Sequence, residues 1–254
     1  MKRRSGVVSI VLVALLVFTL FTPLVVSASH VHRVDRRYSD ARAKYLDTRE
    51  KYQRFERSDP NKDQIGQAKA YVENVLDYLI AYLEMVKAKI EVLEENGARP
   101  RVSSSNLQAD IDELEAFKIE LEGCETKDEV LEVVKRIRSS WAGINEDVRY
   151  CTNFISYYQI GRNIERMEAF SAGMGVRLDA LESAGVDVSD LRAYLSEFDR
   201  HLESARDEYN TGLRFYEEDE LRDASSHFRN AQKHLILANR ILKVMVRAYM
   251  GMRG

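Results

Sequence analysis

The sequence predicts an all-α protein, an elongated antiparallel helical bundle or coiled coil. Three observations carry this. Apolar residues recur at alternating three- and four-residue steps over most of the chain, which places them on one stripe of a helix. Gly97, Gly123 and Gly185 punctuate the pattern where helices would stop, and charged residues, 31% of the chain, fill the other faces. Prolines are confined to positions 23, 60 and 100, none inside a periodic stretch.

The chain opens on Lys2, Arg3 and Arg4, an apolar run from Val7 to Phe21, Pro23, and the small-residue site Val26-Ser27-Ala28. This is the layout of a signal peptide over residues 1–28, cleaved after Ala28. The longer stretch from Val7 to Ala28 would also suffice for an uncleaved anchor, but Pro23 and the small residues favour removal. In either case the protein is expected to be secreted or extracytoplasmic. Removing the three basic residues from a net charge of −3 leaves −6, a poor basis for nucleic-acid binding.

Residues 29–58 form an amphipathic, Tyr-rich helix with the seam Val31, Val34, Tyr38, Ala41, Tyr45, Thr48, Tyr52, Phe55, closed by Asp59-Pro60. Tyr38, Tyr45, Tyr52 and Phe55 are the candidate partner-binding seam, and completion of the bundle in cis is the competing role for the same residues. The second helix, about 61–96, has the seam Ile65, Ala68, Val72, Val75, Leu79, Leu83 or Tyr82, Val86, Ile90, Leu93. Ser105 with Gln108 reads as a capping box for a helix burying Leu107, Ile111, Leu114, Phe117 and Leu121. Thr126 with Glu129 opens the next, with Val130, Val134, Ile137, Trp141, Ile144, Val148, Cys151 and Ile155 inward.

From Ile160 the pattern resumes out of phase through Ile164, Met167, Ser171, Met174, Leu178 and Leu181. A joint between a first unit, 59–158, and a second, 159–254, is therefore expected near 153–162. Ser189 is expected to cap a helix with Leu191, Leu195, Phe198, Leu202, Ala205, Tyr209, Gly212 and Tyr216 inward. The last helix places Leu221, Ala224, Phe228, Ala231, Leu235, Ala238, Leu242, Met245 and Tyr249 on its seam. Alanine every seventh residue predicts close approach to its neighbours and a position inside the bundle.

The two halves share a layout. Leu93-Glu94 before Gly97 parallels Leu181-Glu182 before Gly185, and Asp128-Glu129-Val130 parallels Asp219-Glu220-Leu221. The plan, two tandem three-helix units sharing a long central helix, resembles spectrin-type units, and no function follows from that likeness.

Cys124 and Cys151 lie 27 residues apart, about 40 Å along a continuous helix, so no bridge between them is expected. Cys151 falls on the seam; Cys124, in a turn, is the candidate intermolecular thiol. The histidines lack Glu-x-x-His and His-Glu-x-x-His spacings. Asp223 with His227 is a weak metal pair, and His30 would chelate copper or nickel only if cleavage left it third in the chain. No phosphate loop or nucleophile elbow is present. The expectation is a non-enzyme with no cofactor or metal, a structural or protein-interaction role at the cell envelope or outside the cell, and a protein partner or a homo-oligomer. The alternative is reversible lipid or membrane-surface binding through the amphipathic helices, against which the narrow seams argue; a ligand or metal binder in the core comes third.

Overall fold

The computed structural model describes residues 28–58 and 64–251, with side chains over 33–50 and 65–250. The proposed signal segment, the Asp59-Pro60 break, and the side chains of His30, His32, Tyr52 and Phe55 lie outside what it describes. The described residues are all-α: α1 (Ala28–Ser58), α2 (Gln64–Glu95), α3 (Ser104–Gly123), α4 (Lys127–Ser183), α5 (Ser189–Glu217) and α6 (Leu221–Gly251). Contacts separate two compact units at Ile155/Ser156, which α4 crosses as one uninterrupted helix.

The N-terminal unit packs α1 on α2, α2 on α3, and the first part of α4. Leu76, Ile80, Leu83, Val86, Ile90 and Leu93 from α2, Leu107, Ile111, Leu114 and Leu121 from α3, and Val130, Ile137, Ile144 and Val148 from α4 are buried. The first half of the α2 seam differs from its expected register. Ile65, Ala68, Val72, Val75 and Leu79 are only half-buried, while Asn74, Leu76, Ile80 and Ala81 are buried. The cause is position: α2 has α1 and α3 as neighbours, so its burial is not confined to one stripe.

The C-terminal unit is a three-helix bundle of the second part of α4 with α5 and α6. Its core runs from Ile160, Ile164, Met167, Met174 and Leu178 to Leu191, Phe198, Leu202 and Ala205, and on to Phe228, Leu242 and Met245. Phe170 and Phe198 meet edge to face at 6.0 Å, and Tyr157 stacks on Tyr209 at 5.8 Å. All nine expected seam residues of α6 are buried, with Ala224, Ala231 and Ala238 fully so. The helix is not enclosed, however. Its opposite face is open to solvent, with Ile236 47%, Val244 44% and Met250 47% exposed.

The helix ends show how the chain is divided. Gly97 and Gly185 adopt φ of +83° and +82°. In both turns the glycine N–H donates to the carbonyl three residues back (Glu94, Glu182), and the following N–H to the carbonyl five back (Leu93, Leu181), the Schellman arrangement. The parallel stops at the next turn. Asp219 ends α5 in the same left-handed way (φ +63°), whereas Cys124 after α3 is extended. Lys69 of α2 caps that α3 end, its Nζ donating to the carbonyls of Glu122 and Cys124.

Two of the expected caps are displaced. The α3 capping box is Ser103 with Asn106, whose Oδ1 accepts from the Ser103 N–H at 3.0 Å, in place of Ser105 with Gln108. At α5, Ser189 caps nothing; its N–H and hydroxyl both donate to Asp187 Oδ1. The Thr126–Glu129 box forms as expected.

Candidate functional site

The chemistry-bearing residues gather in three places, two in the N-terminal unit and one in the C-terminal unit. The first is the α1–α2 seam. Tyr38 lies against Tyr78 and Tyr82 at ring separations of 5.7 and 5.5 Å, and Tyr45 stacks on Tyr78 at 5.2 Å. The Tyr38 and Tyr78 hydroxyls are 3.4 Å apart. Burial, and then the neighbouring Tyr38 hydroxyl, push the Tyr78 phenol up to about 12, so it stays a neutral hydrogen-bonding group.

Ion pairs flank this ladder: Arg37–Glu84 at 2.6 Å, Lys44–Asp77 at 3.4 Å and Asp35–Lys89 at 3.4 Å. Asp77 also receives Lys118 of α3 at 2.6 Å. Burial pushes the Asp77 carboxyl up, but its hydrogen bonds and charge contacts to Lys118 and Lys44 outweigh this and hold it below its ordinary value. None of the described α1 side chains is fully buried, and Glu84 Oε2 is buried in α2 without a hydrogen-bond partner. The seam is therefore half wet, held by aromatic pairs worth about 0.5–1.5 kcal/mol each and ion pairs worth about 0–1.

The second place is the polar end of the α3–α4 pairing. Asp110 is pushed up to about 6 by burial, then by the charges of Asp147 and Glu113, and its Oδ2 has no hydrogen-bond partner. Arg101 lies over the Tyr150 ring at 4.3 Å. Cys151 is 1% exposed, and its thiol faces the Val102 carbonyl at 3.6 Å. Burial, then the charges of Asp147, Asp110 and Glu94, push that thiol up to about 12, which keeps it protonated and unreactive. Cys124 is also a free thiol, but it is only 8% exposed and its Sγ points to the Glu120 carbonyl. An intermolecular link through Cys124 would require this turn to open.

The third place lies between α5 and α6. His201 Nδ1 faces His234 Nδ1 at 3.4 Å, and Arg200 Nη2 sits 3.2 Å from His201 Nε2. A guanidinium only donates, so Nε2 of His201 accepts; its Nδ1 carries the proton and donates to His234. Both rings are thus neutral in this arrangement. About two turns along the same helix pair, His227 pairs with Glu208 at 2.7 Å and stacks on Phe215. Its partner is across the helix pair, not Asp223 on its own helix.

Burial, then the charges of Arg200 and His234, lower the His201 pKa from its ordinary value of 6.5. The folded state therefore binds fewer protons here than the unfolded chain. This contribution is present above the unfolded value and is lost as pH falls below it toward the folded value. The melting temperature of the C-terminal unit is expected to drop between about pH 7.5 and about pH 5, and His201→Phe to flatten that slope; an unchanged slope would remove His201 as its source.

Sequence reading missed this pair because each histidine stands one residue before a seam leucine, Leu202 and Leu235, where the stripe already looked complete. Among the described residues no group of three or more His, Cys, Asp or Glu side chains converges as a metal site, and no helix is long and apolar enough to cross a membrane. No protein-family model, curated protein or solved structure matches the chain.

Proposed function

We propose that the chain is an exported, non-enzymatic helical-bundle protein with a structural or protein-interaction role at the cell envelope or outside the cell, using α1 as its exchangeable contact element. The observation that carries this reading is the half-wet α1–α2 seam. A 31-residue helix held by tyrosine pairs and exposed ion pairs leaves at low cost, and the ladder of Tyr78 and Tyr82 beneath it suits another amphipathic helix presenting aromatic and basic residues. Export rests on Lys2, Arg3 and Arg4, the apolar run to Phe21, and the small-residue site at Ala28.

Deleting residues 28–58 while keeping what precedes them is the test. The expected result is a shortened chain that retains cooperative melting of α2–α6 and rebinds a synthetic 28–58 peptide. Loss of the α2–α4 core together with α1 would show that the helix is an integral part of the unit and would refute exchange.

A further inference from the structure

The outward face of α6 is unlike any other surface of the C-terminal unit. The helix carries six basic residues, Arg222, Arg229, Lys233, Arg240, Lys243 and Arg247, against a single acidic one, Asp223, in its first turn. At about 100° per residue all six fall within about 120° of arc, and from Arg222 to Arg247 they extend about 38 Å along the axis. All six are exposed. Arg229 and Lys233 bond only within α6, to the Ser225 carbonyl and Asn230. Among the described residues no carboxylate pairs with any of the six.

The neighbouring α5 has the opposite balance, seven Asp and Glu against four Arg. Within the C-terminal unit, positive charge is thus concentrated on α6, in a chain whose net charge is −3. On the same side of the helix Ile236 and Val244 stand between the basic residues and Met250 follows Arg247, each close to half exposed.

We infer that this face of α6 docks the protein onto an anionic lipid surface, with the C-terminal unit folded. The charges match lipid headgroups, and each basic side chain near such a surface adds to the attraction. The interleaved isoleucine, valine and methionine decide between lipid and a soluble polyanion: they can be withdrawn from water at the headgroup–acyl boundary, whereas a polyanion in solution gives them nothing to enter. The inner face of α6 is already committed to the bundle through Ala224, Phe228, Ala231 and Leu242, so the helix lies on the surface without leaving its neighbours. The inference stands apart from the α1 reading, which concerns the other unit.

The test is co-sedimentation of the full chain with vesicles containing roughly 30 mol % anionic phospholipid and with purely zwitterionic ones, at about 0.1 M salt. The N-terminal apolar run is common to every variant, so differences among variants report α6 alone. Replacing Lys233, Arg240, Lys243 and Arg247 by Gln is expected to weaken anionic-vesicle binding at least about tenfold. Replacing Ile236, Val244 and Met250 by Ser is expected to weaken it too, while leaving heparin binding unchanged. Circular dichroism melts of both variants should match the parent, since every substituted side chain is exposed. Equal vesicle binding by parent and glutamine variant would overturn the inference. Full vesicle binding by the serine variant, with heparin held as tightly, would reassign the face to a soluble polyanion and overturn it as well.

Discussion

Phe228→Ala is expected to destabilise the C-terminal unit by about 3–5 kcal/mol, toward the upper end of that range. The ring is 2% exposed and tilted against Tyr209 at 6.3 Å. Across the α5–α6 seam it faces Gly212, where a Cβ would come within 2.9 Å of it. The cost of a large-to-small change depends on whether neighbours can relax into the gap. Gly212 has no side chain, and Ala224 and Ala231, one turn away on α6, have only methyl groups to offer. The cavity therefore stays open.

Denaturant unfolding followed by far-ultraviolet circular dichroism measures the loss. Trp141, the chain's single tryptophan, lies in the N-terminal unit, so its fluorescence follows that unit. A loss under about 1 kcal/mol would mean that α5 and α6 close over the vacancy, and that their spacing is not set by the ring.

The contrast between α6 and α2 shows what the sequence made legible. On α6 every expected seam position is buried, because one face of the helix meets the bundle and the other meets water; a single stripe then maps directly onto a 3.6-residue period. On α2 the same arithmetic fails over Ile65–Leu79. A helix with partners on more than one side is apolar over most of its circumference, and spacing alone does not choose among overlapping stripes. The α3 cap failed for a related reason: Ser103, Ser104 and Ser105 are consecutive, and side-chain geometry, not residue type, selects Ser103.

The polar contacts were less legible still. Glu208–His227, His201–His234 and Tyr38–Tyr78 join residues on different helices, and their meeting depends on how far one helix is rotated and slid against the next. Spacing within one helix carries no such information. It suggested Asp223 for His227 because it could look only along the chain. The outward α6 stripe was half visible in the same way. Its basic residues could be counted from the sequence, but their segregation onto an exposed face depended on α6 having only one face in the bundle.

Ala231→Leu is expected to destabilise the same unit by about 1–3 kcal/mol through overpacking. Ala224, Ala231 and Ala238 recur every seventh residue and are all fully buried, alternating with Phe228, Leu235 and Leu242, so the small positions face the neighbouring helices at their closest. A leucine at 231 brings three more carbons into a space that holds a methyl. It must then adopt a strained rotamer or push α6 outward along its length. Ala231→Gly separates this from a simple dislike of substitution, since it costs about 1 kcal/mol in helix propensity and inserts nothing. Thermal melts of the two variants give the comparison. If leucine is tolerated as well as glycine, the alanines do not mark a close approach, and the tight α5–α6 packing inferred from Gly212 and Phe228 does not extend past one turn. If leucine is the worse of the two, alanine spacing sets the distance between helices along the whole seam.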